Sequence, residues 1–156
     1  MSESAALKQV ISEVLEGMAM AFADDELGDD VAAPSEFHYV ELDFFGPATG
    51  TLRLALEEEG LLEVAAGFLG LDPDDDETRE SMFDVLGELG NVTLGNLLPA
   101  IAGEERVFNL SAPRVSEGKE EVWLELAKGE NGVGLSVEGS ALVANFDSPD
   151  LAQLDG

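Results

Sequence analysis

The chain has 156 residues, 45% of them apolar, and carries 34 acidic against 7 basic side chains for a formal net charge of −27. That length suits one ordinary domain with a buried core, while the charge excludes nucleic-acid phosphate and anionic membrane surfaces as partners. The absence of cysteine excludes disulfides and thiolate metal sites and fits a cytoplasmic location. No apolar run approaches the ~18 residues of a membrane span. The start MSESAALKQV lacks the basic-then-apolar pattern of a secretory signal. The acidic excess reads as a solvated surface suited to a salty medium in preference to mimicry of nucleic acid.

Leu7, Val10, Ile11, Val14, Leu15, Met18, Ala21 and Phe22 keep helical spacing, so the first helix is predicted over 5–23 with Ser4 as its N-cap. The acidic ADDELGDDVAAPSE that follows reads as a loop. FHYVELDFF (37–45), the turn residues GPATG (46–50) and TLRLALEE (51–58) predict two antiparallel strands, with Leu52, Leu54 and Leu56 on one face. His38, the only histidine, shares the side of Val40, Leu42 and Phe44, as a packed residue would. GLLEVAAGFLG (60–70) suits a short helix.

A long helix is predicted over 74–101, with Asp72 as cap, Pro73 in its first turn and Pro99 bending or stopping its end. Asp72, Asp74 and Asp76 imitate the start of a calcium loop. The imitation fails, because Glu77 and Phe83 stand where that loop needs glycine and glutamate. Three strand regions follow, at 106–115, 121–129 and 132–146, with Asn131-Gly132 as a hairpin signal between the last two. Within the second, Trp123 alternates away from Val122, Leu124 and Leu126, facing a second layer or an interface. One domain over 1–146 and a mobile acidic tail over 147–156 are predicted. The order helix, two strands, helices, three strands indicates an α+β fold with long helices packed on an antiparallel sheet.

The stretch DVLGELGNVTLGN (84–96) holds three glycines, each costing a helix about 1 kcal/mol relative to alanine. With residue 82 at 0° and 100° per residue, Met82, Val85, Leu86, Leu89, Val92 and Thr93 form the buried side. Asp84, Glu88, Asn91 and Gly95 fall between about 180° and 240° on that wheel, a polar line on the opposite face. An ordinary solvated helix face and an open docking line fit that geometry equally well.

The order Asp84, Glu88, Asn91 matches D/S-x-x-x-E-x-x-N, and ELGNVTLGN resembles the E-x-x-N followed by G-N of the CheC/CheX/FliY family. The sharp match covers 81–99, and the resemblance in element order covers about 5–146. On the first helix Glu13, Glu16 and Ala19 lack the asparagine of a second motif, so the resemblance is to the single-centre, CheX-type members. It implies a phosphatase acting on the aspartyl phosphate of a CheY-like response-regulator receiver domain. Asn91 is then the water-positioner and Glu88 pairs with the receiver's lysine. Asp84 supports the helix surface, and Gly87 and Gly95 let the receiver's loops come close. No cofactor or metal of the chain's own is implied, Mg²⁺ being held by the receiver. A homodimer through the sheet is implied as well. The alternative is a non-catalytic binding module of the same fold, docking on signalling or motor-switch proteins.

Overall fold

The computed structural model describes residues 2–23, 32–129 and 131–155. Of the acidic stretch read as a loop, residues 24–31 lie outside that description. Helix α1 spans Glu3–Ala19 and is capped by Ser2, two residues before Ser4, with the Ser2 hydroxyl accepting from the Ala5 N–H at 3.1 Å. It stops short of the predicted residue 23 because Met20 turns left-handed, with φ 52°, and its N–H closes onto Glu16.

Strands β1 (Phe37–Phe45) and β2 (Gly50–Glu57) form the expected antiparallel pair. Helix α2 covers Glu58–Leu69 and α3 covers Asp76–Ala102. Asp75, and not Asp72, takes the N-cap position of α3, and the Asp72 carbonyl accepts from the Thr78 hydroxyl at 2.7 Å. Pro99 lies inside the helix, which runs three residues past it and closes with the Gly103 N–H on the Pro99 carbonyl.

The last third differs from expectation in all three predicted strand regions. Residues 121–129, predicted as a strand, form helix α4 (Glu120–Lys128). Trp123 and Leu126 stand three residues apart on one helical face and are both buried. Glu120 and Glu121 in its first turn and Lys128 in its last complement the helix dipole. Over nine residues, period-two and period-3.6 patterns are hard to separate, and the apolar run Val122–Leu124 disguised the helix. Residues 106–115 hold two short strands, β3 (Asn109–Leu110) and β4 (Arg114–Glu117). Residues 132–146 hold a hairpin of β5 (Gly132–Val137) and β6 (Ser140–Asp147). Its two-residue turn is Glu138-Gly139, with φ 51° and 83°, as a type I′ turn requires. Asn131-Gly132 instead joins α4 to β5.

The six strands form one antiparallel sheet in the order β3-β1-β2-β6-β5, with β4 also pairing β1. Register aligns Leu42 with Leu52 and Phe146, and Val40 with Leu54 and Ala144. These residues face α1, α2 and α3 and make the main core. The opposite parity places Phe37, Ala55 and Val143 against Trp123 and Leu126 of α4, a second, smaller core. Trp123 therefore faces a second layer, with its ring 4.9 Å from that of Phe37. Beyond β6 the tail makes specific contacts: Ser148 donates to the Thr49 carbonyl at 2.7 Å, Leu151 is buried, and Arg106 donates to the Leu154 carbonyl at 2.9 Å.

With −27 on one chain, self-repulsion opposes compaction, and mobile ions relieve it. Raising KCl from about 0.1 M to about 1 M shortens the screening length from about 10 Å to about 3 Å. The thermal unfolding midpoint, followed by circular dichroism, should therefore rise by on the order of 5 °C.

Candidate functional site

Asp84, Glu88 and Asn91 leave α3 at i, i+4 and i+7, one above the other on a single face. In the structure all three line one open groove of about 370 Å³ between α3 and the β3–β4 segment. Asp84 and Glu88 are exposed and Asn91 is half-buried. Gly87 lies in the same groove, as do Phe83, Leu110, Pro113 and Val115. No cation of the described residues pairs with Asp84 or Glu88; the arginines are committed elsewhere, Arg53 to Glu41 and Glu125, Arg79 to Glu58, and Arg114 to Glu41 and Asp43.

The three glycines have three different surroundings. A Cβ on Gly90 would stand 2.9 Å from Val40 Cγ1, so this glycine lets α3 press onto β1. A Cβ on Gly87 would meet Pro113 Cγ at 3.4 Å and Val115 Cγ2 at 3.7 Å; Gly87 is buried and forms the groove floor beneath the opposite wall. A Cβ on Gly95 would meet nothing within 4 Å, and that residue is exposed. The family resemblance gives Gly87 and Gly95 one role; the structure separates them, and it is Gly90 that carries the helix–sheet contact.

The opposite wall, Leu110–Pro113, falls within the strand region predicted over 106–115, and nothing in the sequence marks it as part of a site. It is pinned to β1 twice over. The Asp43 N–H donates to Ser111 Oγ at 2.9 Å, and the Ser111 N–H donates to the Asp43 carbonyl at 2.9 Å. Arg114 then bridges Glu41 at 2.8 Å and Asp43 at 3.2 Å. The Thr51 hydroxyl, followed by Arg114, holds the Asp43 carboxyl below its ordinary range, and Glu41 and Asp43 raise Arg114. Both partners of the clamp thus stay charged at neutral pH.

His38 is buried as expected, at 6% exposure, with Nε2 3.0 Å from Glu58 Oε1. That contact is the largest cause holding the Glu58 carboxyl below its ordinary range. The other face of the imidazole meets the Phe83 ring edge-on, centroids 4.8 Å apart. Among the described residues no group of three or more His, Cys, Asp or Glu is arranged to hold a metal ion. No described helix is long and apolar enough to cross a membrane.

The arrangement of three helices on one face of an antiparallel sheet recurs in solved structures. CheX from Desulfovibrio desulfuricans is 12% identical at a TM-score of 0.67, covering 95% of this chain and 99% of that one. A CheX–CheY–BeF3–Mg²⁺ complex from Borrelia burgdorferi matches at 19% identity and a TM-score of 0.67, covering 94% and 97%. FliY from Thermotoga maritima matches at 14% identity and a TM-score of 0.59, covering 98% and 93%. At such identities the likeness establishes a shared fold, that of the CheC/CheX/FliY class. Within that class the chain belongs to the CheX family, whose model, described as chemotaxis phosphatase CheX, matches residues 39–138 and so spans the whole motif of α3. No curated protein sequence matches the chain.

Proposed function

We propose that this chain hydrolyses the aspartyl phosphate of a CheY-like receiver domain by inserting the Glu88–Asn91 face of α3 into the receiver's active site. The observation that carries the reading is that exposed Glu88 and half-buried Asn91 line one groove, with no cation of the described residues on Glu88. Membership of a chemotaxis phosphatase family supports the reaction, and the complex from Borrelia burgdorferi supports the partner class.

An acyl phosphate is a reactive bond, and little covalent chemistry is left to the protein. What the chain must supply is position. The Asn91 carboxamide both accepts and donates, so it holds one water on a line with phosphorus. The Glu88 carboxylate gives the receiver's lysine a partner, fixing the register in which α3 enters. The receiver contributes the phosphoaspartate, the lysine and its Mg²⁺, which spreads the transferring charge. Asp84, one turn before Glu88, adds negative charge along the same face, and Gly95 leaves the next turn bare. A helix used for docking alone would have no need of an amide at residue 91. On this reading the protein works where its receiver does, in the cytoplasm.

Glu88→Lys tests the anchoring role. It puts a cation against the receiver's cation, so binding of the phosphorylated receiver should weaken at least tenfold, about 1.4 kcal/mol. Isothermal titration against the receiver reads this directly, and Glu88→Gln should fall between the two.

A further inference from the structure

Phe83 stands on the rim of the groove, one residue before Asp84, and is 41% exposed. Its ring is held in place. His38 packs edge-on against it at 4.8 Å and 71°, and His38 is itself buried and tied to Glu58 at 3.0 Å. Glu58 in turn lies 3.7 Å from Arg79, one turn before Phe83 on the same helix. Across the groove Pro113 and Val115 present apolar surface on a wall clamped by Arg114. One end of the groove is therefore apolar and rigid, and Asp84 and Glu88 beside it carry negative charge that no cation of the described residues pairs.

We infer that Phe83 is the apolar anchor of this docking surface and that His38 is a positioning residue for its ring. The occupant is a segment of the receiver that places an apolar side chain next to a cation, matching Phe83 next to Asp84 and Glu88. A second copy of this chain fits poorly, because it would bring another −27 to an acidic rim. The inference rests on the groove being the receiver site. It adds that affinity and catalysis are divided between residues: Phe83 holds the partner and Asn91 acts on the water.

Steady-state kinetics with the phosphorylated receiver separate the two. Phe83→Ala should raise KM about tenfold with kcat changed by less than about twofold, and Phe83→Leu should lie between. As an exposed position, residue 83 tolerates both changes without loss of fold, which the unfolding midpoint verifies. His38→Gln keeps a donor for Glu58 but removes the ring, and should raise KM in the same way. Combined with Phe83→Ala it should add nothing further, a non-additivity that a general loss of stability does not produce. An unchanged KM for Phe83→Ala, while Asn91→Ala abolishes turnover, overturns the anchor and leaves the phosphatase reading standing. Full turnover by Asn91→Ala overturns that reading and the anchor's partner with it. Self-association of the wild type that Phe83→Ala abolishes at unchanged KM assigns the surface to a second copy and overturns the anchor.

Discussion

Asn91→Ala should lower the rate of receiver dephosphorylation about a hundredfold or more, on the order of 3 kcal/mol in the barrier. It should do so while leaving the fold alone. Asn91 is half-buried at the groove, and no hydrogen bond to its side chain is formed by the described residues, so its removal strands no buried partner. Alanine is also the better helix former by several tenths of a kcal/mol. The unfolding midpoint should therefore hold or rise slightly while turnover collapses. Asn91→Asp gives a second check, because a carboxylate can accept from a water but brings negative charge to a phosphoryl group. It should be as inactive as the alanine variant. Single-turnover phosphate release, measured beside circular dichroism, reads both outcomes.

Gly90→Leu should have the largest effect on stability. A Cβ at residue 90 already falls 2.9 Å and 3.2 Å from the two methyls of Val40 and 3.3 Å from Leu42 Cδ2. Val40 and Leu42 are both fully buried, and a β-branched valine on a central strand has little freedom to turn away. Leucine adds three further carbons to a site with no room for the first. The overpacking should cost about 3 kcal/mol, lowering the midpoint by about 10 °C. Because Gly90 directly precedes Asn91, pushing α3 off β1 also displaces the amide, so activity should fall with stability. Gly95→Ala supplies the contrast. Nothing lies within 4 Å of a Cβ there, and replacing glycine in a helix should stabilise by about 1 kcal/mol. Two glycines five residues apart on one helix should thus respond with opposite sign in thermal unfolding.

The long helix and its polar line were legible because 27 residues repeat one period many times, and the apolar side must face a core. The β1–β2 pair was legible for the same reason, Leu52, Leu54 and Leu56 alternating between turn residues. Helix α4 was not, because nine residues contain only two buried positions, Trp123 and Leu126, while Val122, Leu124 and Leu126 alternate as a strand would. The wall of the groove was not legible either. Strands β3 and β4 are two and four residues long, and what fixes them is pairing with β1 and the reach of Arg114 to Asp43 and to Glu41, the latter 73 residues distant. Nor does the sequence distinguish a glycine that meets a strand, as Gly90 does, from one that meets solvent, as Gly95 does. The residues proposed to act are therefore readable from α3 alone. The surface that presents them depends on contacts distant in sequence.

The phosphatase reading is tested most directly on the unmodified protein. A CheY-type receiver is phosphorylated with a small-molecule donor, freed of excess donor and mixed with the purified chain in KCl high enough to screen its charge. Phosphate should leave the receiver at least about ten times faster than from the receiver alone, with the rate proportional to added protein at low concentration. Decay curves that superimpose with and without the chain, although titration shows the two proteins bound, would contradict hydrolysis and leave a docking module.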